Sequence, residues 1–266
     1  MSSDVSFPTA TIFGYAIAIL FYFLLPIVAF ILLYRRQSAH VFPLVVGVVV
    51  YLLTTRINDI GVQMFFRGLS YANMMAIAAE TVCLWEECGR WLVMRYPLTG
   101  IRSAGAAVSY GIGHGGIEAV LRGVQKCNIL AIGLRLNREG ISAFTSVLDP
   151  KFAANKVVQL QEYASRGLFC NLLDSLDAAS NFGVHIALSM LIYRGVQREN
   201  SRQTLPIAIG LHYLVNLCGW LASFSNSIIL RDVVGITAGV FVIWLAMKIA
   251  DGRALFDEIM YPAETE

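Results

Sequence analysis

The chain has 266 residues, of which 57% are hydrophobic and only 14% charged, with a mean hydropathy of +0.64 and a net charge of +2. That balance excludes a soluble domain of ordinary composition and points to an integral membrane protein whose surroundings are the lipid bilayer. There is no basic stripe interleaved with aromatics, so nucleic acid is not an expected partner. The five cysteines are an odd number without a CxxC pair, which argues against a disulfide framework or a zinc ribbon.

Apolar length predicts about seven spans in one all-α, polytopic membrane domain covering 1–266. The N-terminus has no basic n-region, Asp4 being its only charge, and its first apolar run is too long for a signal peptide, so it reads as a retained helix. That first span runs from about Ala10 to Tyr34, ends at Arg35-Arg36 and contains Pro26, which predicts a kink. The second runs from about Val41 to Phe66, and its Arg56 and Asp59 are spaced i,i+3 to satisfy each other. The third, from about Tyr71 to Met94, carries Glu86, Glu87 and Arg90. The fourth, from about Ser103 to Leu121, is rich in glycine, which lets helices approach closely in lipid.

A long segment, 122–177, holds most of the remaining charge and reads as an extramembrane or interfacial layer. Within it, Cys127–Leu136 and Phe152–Tyr163 mix apolar and charged residues like short interfacial helices. The fifth span is short, from about Ala178 to Tyr193. A backward extension through Leu168–Leu176 would leave Asp174 and Asp177 facing water. The sixth runs from about Leu205 to Phe224; the Ser225-Asn226-Ser227 turn then leads to the seventh, from about Ile228 to Ala250.

Two carboxylates and a guanidinium inside the third span need a reason, since each charge near the bilayer centre costs at least about 2.5–3.5 kcal/mol. Glu86 and Glu87 stand four and three residues before Arg90, so both lean toward one cation and one carboxylate is left in excess. A structural ion cluster is one explanation; a buried base or proton carrier is the other. Four further positions are unusual for lipid: His114 with Glu118, His185, and His212 with Asn216. At 1.5 Å per residue, Glu86, His185 and His212 lie roughly 15 Å from the cytoplasmic ends of their helices, and His114 and Asn216 roughly 20 Å. The polar site is therefore expected between the third and sixth spans. A carboxylate in excess is a candidate general base, and neutral histidines with an Asn amide are donors for an oxyanion. The alternative chemistry is metal-assisted: His114, Glu118, His185 and His212 offer nitrogen and oxygen ligands suited to zinc.

Glu86-Glu87-x-x-Arg90, Gly113-His114-Gly115-Gly116-Ile117-Glu118 and His212-x-x-x-Asn216 together resemble the YhfC family of membrane peptidases. That family is similar in turn to the CAAX prenyl protease group, with the PrsW proteases and the gamma-secretase scaffold subunit. The resemblance implies intramembrane proteolysis by a glutamate-activated water, with Glu86 as base, Glu87 and Arg90 beside it, and His212 and Asn216 steadying the oxyanion. Helix geometry alone would reverse the two glutamates, pairing Glu86 with Arg90 at i,i+4; the resemblance is followed. Glu118 stands where prenyl proteases carry His, which favours a membrane protein or peptide substrate over a prenylated one. His114 and His185 lie outside the prenyl-protease pattern and rest on the depth argument. A catalytically silent scaffold and a proton-coupled transporter are the competing classes. The first does not need an excess carboxylate, and the second lacks the inverted repeat and paired broken helices expected of it.

Arg35 and Arg36, Arg95 and Arg102, and Arg194, Arg198 and Arg202 fall in alternate loops. The positive-inside rule then sets a cell-membrane protein with its N-terminus outside and its C-terminus cytoplasmic. A reporter fused after Glu266 is expected to be active only if it works in the cytoplasm; activity restricted to an extracytoplasmic reporter would contradict the orientation.

Overall fold

The computed structural model describes residues 5–261 apart from 37, 99, 101, 102, 147 and 226, so Asp4, Arg102 and Asn226 lie outside the described residues. The described residues form ten helices and no strand: α1 (Thr9–Arg35), α2 (Val41–Phe66), α3 (Tyr71–Arg95), α4 (Ala104–Glu139), α5 (Ser142–Thr145), α6 (Pro150–Ser165), α7 (Gly167–Gln197), α8 (Ser201–Ser223), α9 (Ile228–Ala250) and α10 (Gly252–Met260). Five of them, α1, α2, α7, α8 and α9, are long and apolar enough to cross a membrane. α3 and α4, with 25 and 36 residues, match them in length. Each exceeds the roughly 30 Å hydrocarbon core. Their polar residues set these two apart.

Side-chain caps fix several starts. Ser70, Ser103 and Ser227 accept from the backbone N–H groups of Asn73, Ala106 and Leu230, at the first turns of α3, α4 and α9. Gly140, at φ 75°, ends α4 in a conformation that a side chain disfavours. Pro26 stands inside the continuous helix α1, and its ring lies against Gly116 of α4.

α7 is the central helix. Of its apolar stretch, 67% is buried, against 17% for α1. It packs on α9, α4, α1 and α8, while α3 packs mainly on α2 and α8. The glycines of α4 explain how it fits among three neighbours. A Cβ at Gly111 would stand 2.7 Å from the Ile186 Cα of α7, one at Gly116 would stand 2.8 Å from the Pro26 Cβ of α1, and one at Gly113 would collide with the Leu44 carbonyl of α2. Close backbone approach on several sides brings His114, on this same helix, into the middle of the bundle.

The segment after Leu121 differs from expectation. α4 continues without a break to Glu139, so Cys127–Leu136 is its C-terminal part and not a separate interfacial helix. Phe152–Tyr163 does lie in one short helix, α6, and the fifth span starts at Gly167, through the backward extension. Some of the charges of this region are paired inward, while others, such as Arg135 and Glu139, pair at an exposed face. Asp174 does not face open water: its carboxylate takes Lys126 Nζ at 2.8 Å, Arg166 Nη1 at 3.1 Å and the Tyr22 hydroxyl at 2.9 Å, which ties α1, α4 and α7 together. Asp177 lines a polar cavity of about 230 Å³ with Arg122, Arg231 and Asp232. Arg56 and Asp59 lie 3.8 Å apart at an exposed face, a weak pair of the expected kind. The buried Asn58 between them does more: its side chain binds the Ala78 carbonyl and the Thr81 hydroxyl, joining α2 to α3. All five cysteines are free.

The packing of α4 makes a direct prediction. Gly113→Ala forces a methyl into the α2 backbone and is expected to destabilise by about 1–3 kcal/mol. Gly61→Ala, which meets nothing within 4 Å, is expected to leave stability unchanged or slightly raised. Thermal melting of both variants in one detergent checks this; equal melting points would contradict the close contact.

Candidate active site: a layer of three histidines and three glutamates

Arg90 is the hub. It is fully buried, as is Glu87, and its Nη1 donates to both Glu87 carboxylate oxygens at 2.5 and 2.6 Å. Its Nη2 lies 3.1 Å from His185 Nδ1 of α7. A guanidinium has no lone pair to accept with, so His185 Nδ1 is the acceptor. The ring therefore carries its proton on Nε2, which donates to Glu118 Oε2 of α4 at 2.7 Å. Glu118 Oε1 also accepts from Arg122 at 2.6 Å and from Asn181 at 3.0 Å. A single chain of charged hydrogen bonds thus crosses the bundle, Glu87–Arg90–His185–Glu118–Arg122.

Glu87 is fully engaged, because His212 Nδ1 of α8 reaches its Oε1 at 2.9 Å. As donor, that N–H leaves His212 Nε2 as a lone pair directed toward Glu86, 3.8 Å from Oε2. His114 Nε2 meets the same Oε2 at 3.2 Å, and its Nδ1 lies 3.4 Å from the Tyr110 hydroxyl. Glu86 therefore touches imidazoles and no cation. Its Oε1 has no hydrogen bond to a described residue, and Glu86 lines a cavity of about 460 Å³ with Glu118, Arg122, His212 and Asn216. Of the three carboxylates in this hydrogen-bonded layer, Glu87 is paired with Arg90 and Glu118 with Arg122, while Glu86 meets only imidazoles.

The expected residues converge, though not in the expected pairs. His114 and Glu118, i,i+4 on one helix, do not bond each other; the first turns to Glu86 and the second to His185. His212 and Asn216 both reach α3, the latter through its Nδ2 to the Ala79 carbonyl at 2.9 Å. Arg90 holds Glu87 and not Glu86, against the better-oriented i,i+4 pairing. Contacts to neighbouring helices accompany this choice, Arg90 with His185 and Glu87 with His212. Sequence reasoning missed Asn181 and Arg122, which fix Glu118; their i−4 and i+4 spacing to His185 and Glu118 was the available signal.

A divalent metal fits the donor set. One ligand atom each from Glu86, His114 and His185 lies within 4.8 Å of the others, all three buried. Carboxylate and imidazole are zinc-type donors, and the Tyr110 hydroxyl at His114 is an outer-shell partner of the kind that orients ligating rings. This set contains Glu86 where the sequence expected Glu118 and His212. Glu118 is taken up by Arg122, Asn181 and His185, and His212 is anchored on Glu87. His185 gives up its bond to Arg90 or to Glu118 when it ligates, because both of its nitrogens are occupied.

The family description "YhfC intramembrane metalloprotease" matches residues 21–238, which contain every residue of this layer. The chain belongs to the YhfC intramembrane metalloprotease family. A curated relative, described as the uncharacterized membrane protein YhfC of Bacillus subtilis (strain 168), is 23% identical over 240 residues, covering 84% of this chain and 90% of the relative. No solved structure matches.

For this YhfC-family chain, the buried Arg90–Glu87 pair should behave as a unit. Arg90→Ala alone leaves a buried carboxylate uncompensated and is expected to cost about 3–5 kcal/mol. Arg90→Ala combined with Glu87→Ala is expected to cost less than the sum of the single losses. A thermal-melting cycle in which the losses simply add would show that the two groups do not depend on each other.

Proposed function

We propose that the protein is an intramembrane endopeptidase that hydrolyses a peptide bond of a membrane protein or peptide with a water activated at Glu86. The observation that carries this reading is the asymmetry of the adjacent glutamates. Glu87 is neutralised by Arg90 and His212, while Glu86 keeps a free oxygen at a cavity in the middle of the bundle. Carboxylates kept in a membrane without a cationic partner mark functional sites by default.

In this reading the peptide occupies the cavity with its scissile carbonyl beside Glu86. Glu86 Oε1 holds the attacking water and takes its proton as the oxygen adds to the carbonyl carbon. His114, braced by Tyr110, donates from Nε2 to the developing oxyanion, while His212, fixed through Nδ1 by Glu87, flanks the centre with its Nε2 lone pair, an acceptor for the proton in transit from Glu86 to the leaving amine. The proton on Glu86 then passes to the leaving amine. Asn216, one turn from His212, holds the α8 edge of the cavity against α3. A divalent ion of zinc type would be held by Glu86, His114 and His185; such an ion supplies Lewis acidity and a more acidic water when bound. Arg90 and Glu87 are positioning residues, since they act by fixing His185 and His212. A prenylated substrate is not favoured, because Glu118 stands where the prenyl proteases carry His.

The test is cleavage of a degenerate hydrophobic peptide mixture by the purified protein in liposomes, with new termini read by mass spectrometry. In ¹⁸O-water, every new carboxyl terminus should carry solvent oxygen. 1,10-phenanthroline should abolish cleavage and added zinc should restore it, whereas His114→Ala should resist that rescue. Full turnover in the presence of the chelator would remove the metal from the reading, and absence of any cleavage would remove the peptidase.

A further inference from the structure

The cavity contains a carboxyl group that the mechanism above does not use. Glu80, on α3, lines the same space as Glu86, and both of its carboxyl oxygens are buried without a hydrogen-bond partner among the described residues. The two guanidiniums nearest the site are already committed, Arg90 to Glu87 and Arg122 to Glu118. No ion pair among the described residues includes Glu80. Glu80 as a residue is only half-buried, yet both oxygens of its carboxyl are shielded without a partner, and such groups in native proteins call for an explanation.

We propose that Glu80 is a specificity-determining residue that receives a cationic group of the substrate, an alkylammonium or guanidinium, in the active-site cavity. The inference rests on the reading of that cavity as a peptide site. Six positions separate Glu80 from Glu86, which is about 9 Å along α3 toward its N-terminal end. An extended peptide covers about 3.3–3.6 Å per residue. The cation therefore sits two or three residues from the cleaved bond, on the side of the chain nearer the N-terminal end of α3. The surroundings suit such a group. Trp220 and Ser223 of α8 and Thr55 of α2 line the same cavity, so the aliphatic stem of a lysine or arginine meets apolar surface and its head meets oxygen atoms. The cation reaches the carboxyl after a change of the Glu80 rotamer, and the two groups then form a charge-assisted pair at the cavity wall. A lysine or arginine side chain and a free amino terminus share this chemistry.

The test uses the full-length Glu86→Gln protein in detergent, which retains the cavity and, on the reading above, does not cut what it binds. Three fluorescent hydrophobic peptides are compared: one blocked at both ends with an internal lysine, the same with norleucine in its place, and the norleucine peptide with a free amino terminus. The lysine peptide is expected to bind about tenfold tighter than the blocked norleucine peptide. With Glu80→Gln added, the ratio is expected to fall to about one. Tight binding of the third peptide would place an amino terminus at Glu80, and weak binding would place a side chain there; either supports the recognition of a cation. Equal affinity of the first two peptides, a preference that survives Glu80→Gln, or no binding of the lysine peptide up to about 1 mM would overturn the proposal. Cleavage by the wild-type protein is scored separately, so its failure counts against the peptidase reading while the binding ratio still decides Glu80. Melting curves of both variants, with Glu80→Asp as a second substitution that keeps the charge and should keep the preference, exclude misfolding as the cause.

Discussion

The arrangement depends on one buried guanidinium. Arg90 forks onto both oxygens of Glu87 and reaches the ring of His185 with its second nitrogen, without access to solvent. In lipid this cation is costly unless it is neutralised, and Glu87 neutralises it within a single helical turn. The consequences spread from there. Glu87 passes its remaining accepting capacity to His212, and Arg90 fixes the tautomer of His185, which in turn binds Glu118. Two side chains of α3 thereby set the orientation of rings on α7 and α8. Glu86, one residue away but about 100° around the helix, is left outside this accounting.

The frame that makes such a layer possible is the close packing of α4. Glycines at 111, 113 and 116 bring its backbone against α7, α2 and α1, which places His114 and Glu118 within reach of α3 and α7. Helices held apart by ordinary side chains would leave these imidazoles too distant to share one carboxylate. The ring centres of His114 and His185 are 4.8 Å apart, and those of His185 and His212 are 5.2 Å apart. Toward the far end of α4, Lys126, Arg166 and Asp174 perform a different task, joining α1, α4 and α7 through ion pairs that share one carboxylate, with the Tyr22 hydroxyl on it.

Much of this was legible in the sequence, for physical reasons. Polar residues are so rare in apolar spans that Glu86, Glu87, Arg90, His114, Glu118, His185, His212 and Asn216 announce themselves, and the fixed rise of a helix places them at similar depth. What the sequence does not carry is the choice of partner. Spacing on one helix suggested His114 with Glu118 and Glu86 with Arg90, whereas contacts across helices select His114 with Glu86 and Arg90 with Glu87. The region 122–177 was harder to read because its charges look solvated when counted singly; Lys126 and Asp174 are 48 positions apart in the chain and neutralise each other only after α4 and α7 pack. Glu80 was not singled out at all, since one carboxyl near the start of a span looks like a residue at the lipid–water boundary.

The central claim is that two adjacent glutamates divide the work, Glu86 for chemistry and Glu87 for structure. It is tested most directly by placing Glu86→Gln and Glu87→Gln side by side in one preparation and measuring both melting temperature and peptide turnover. The account predicts that Glu86→Gln melts like the wild type and loses turnover by about 10²–10⁴-fold. It predicts that Glu87→Gln melts lower, because Arg90 loses its counter-charge, and keeps a residue of turnover. A fully active Glu86→Gln beside an inactive, normally melting Glu87→Gln would contradict the account and exchange the two roles.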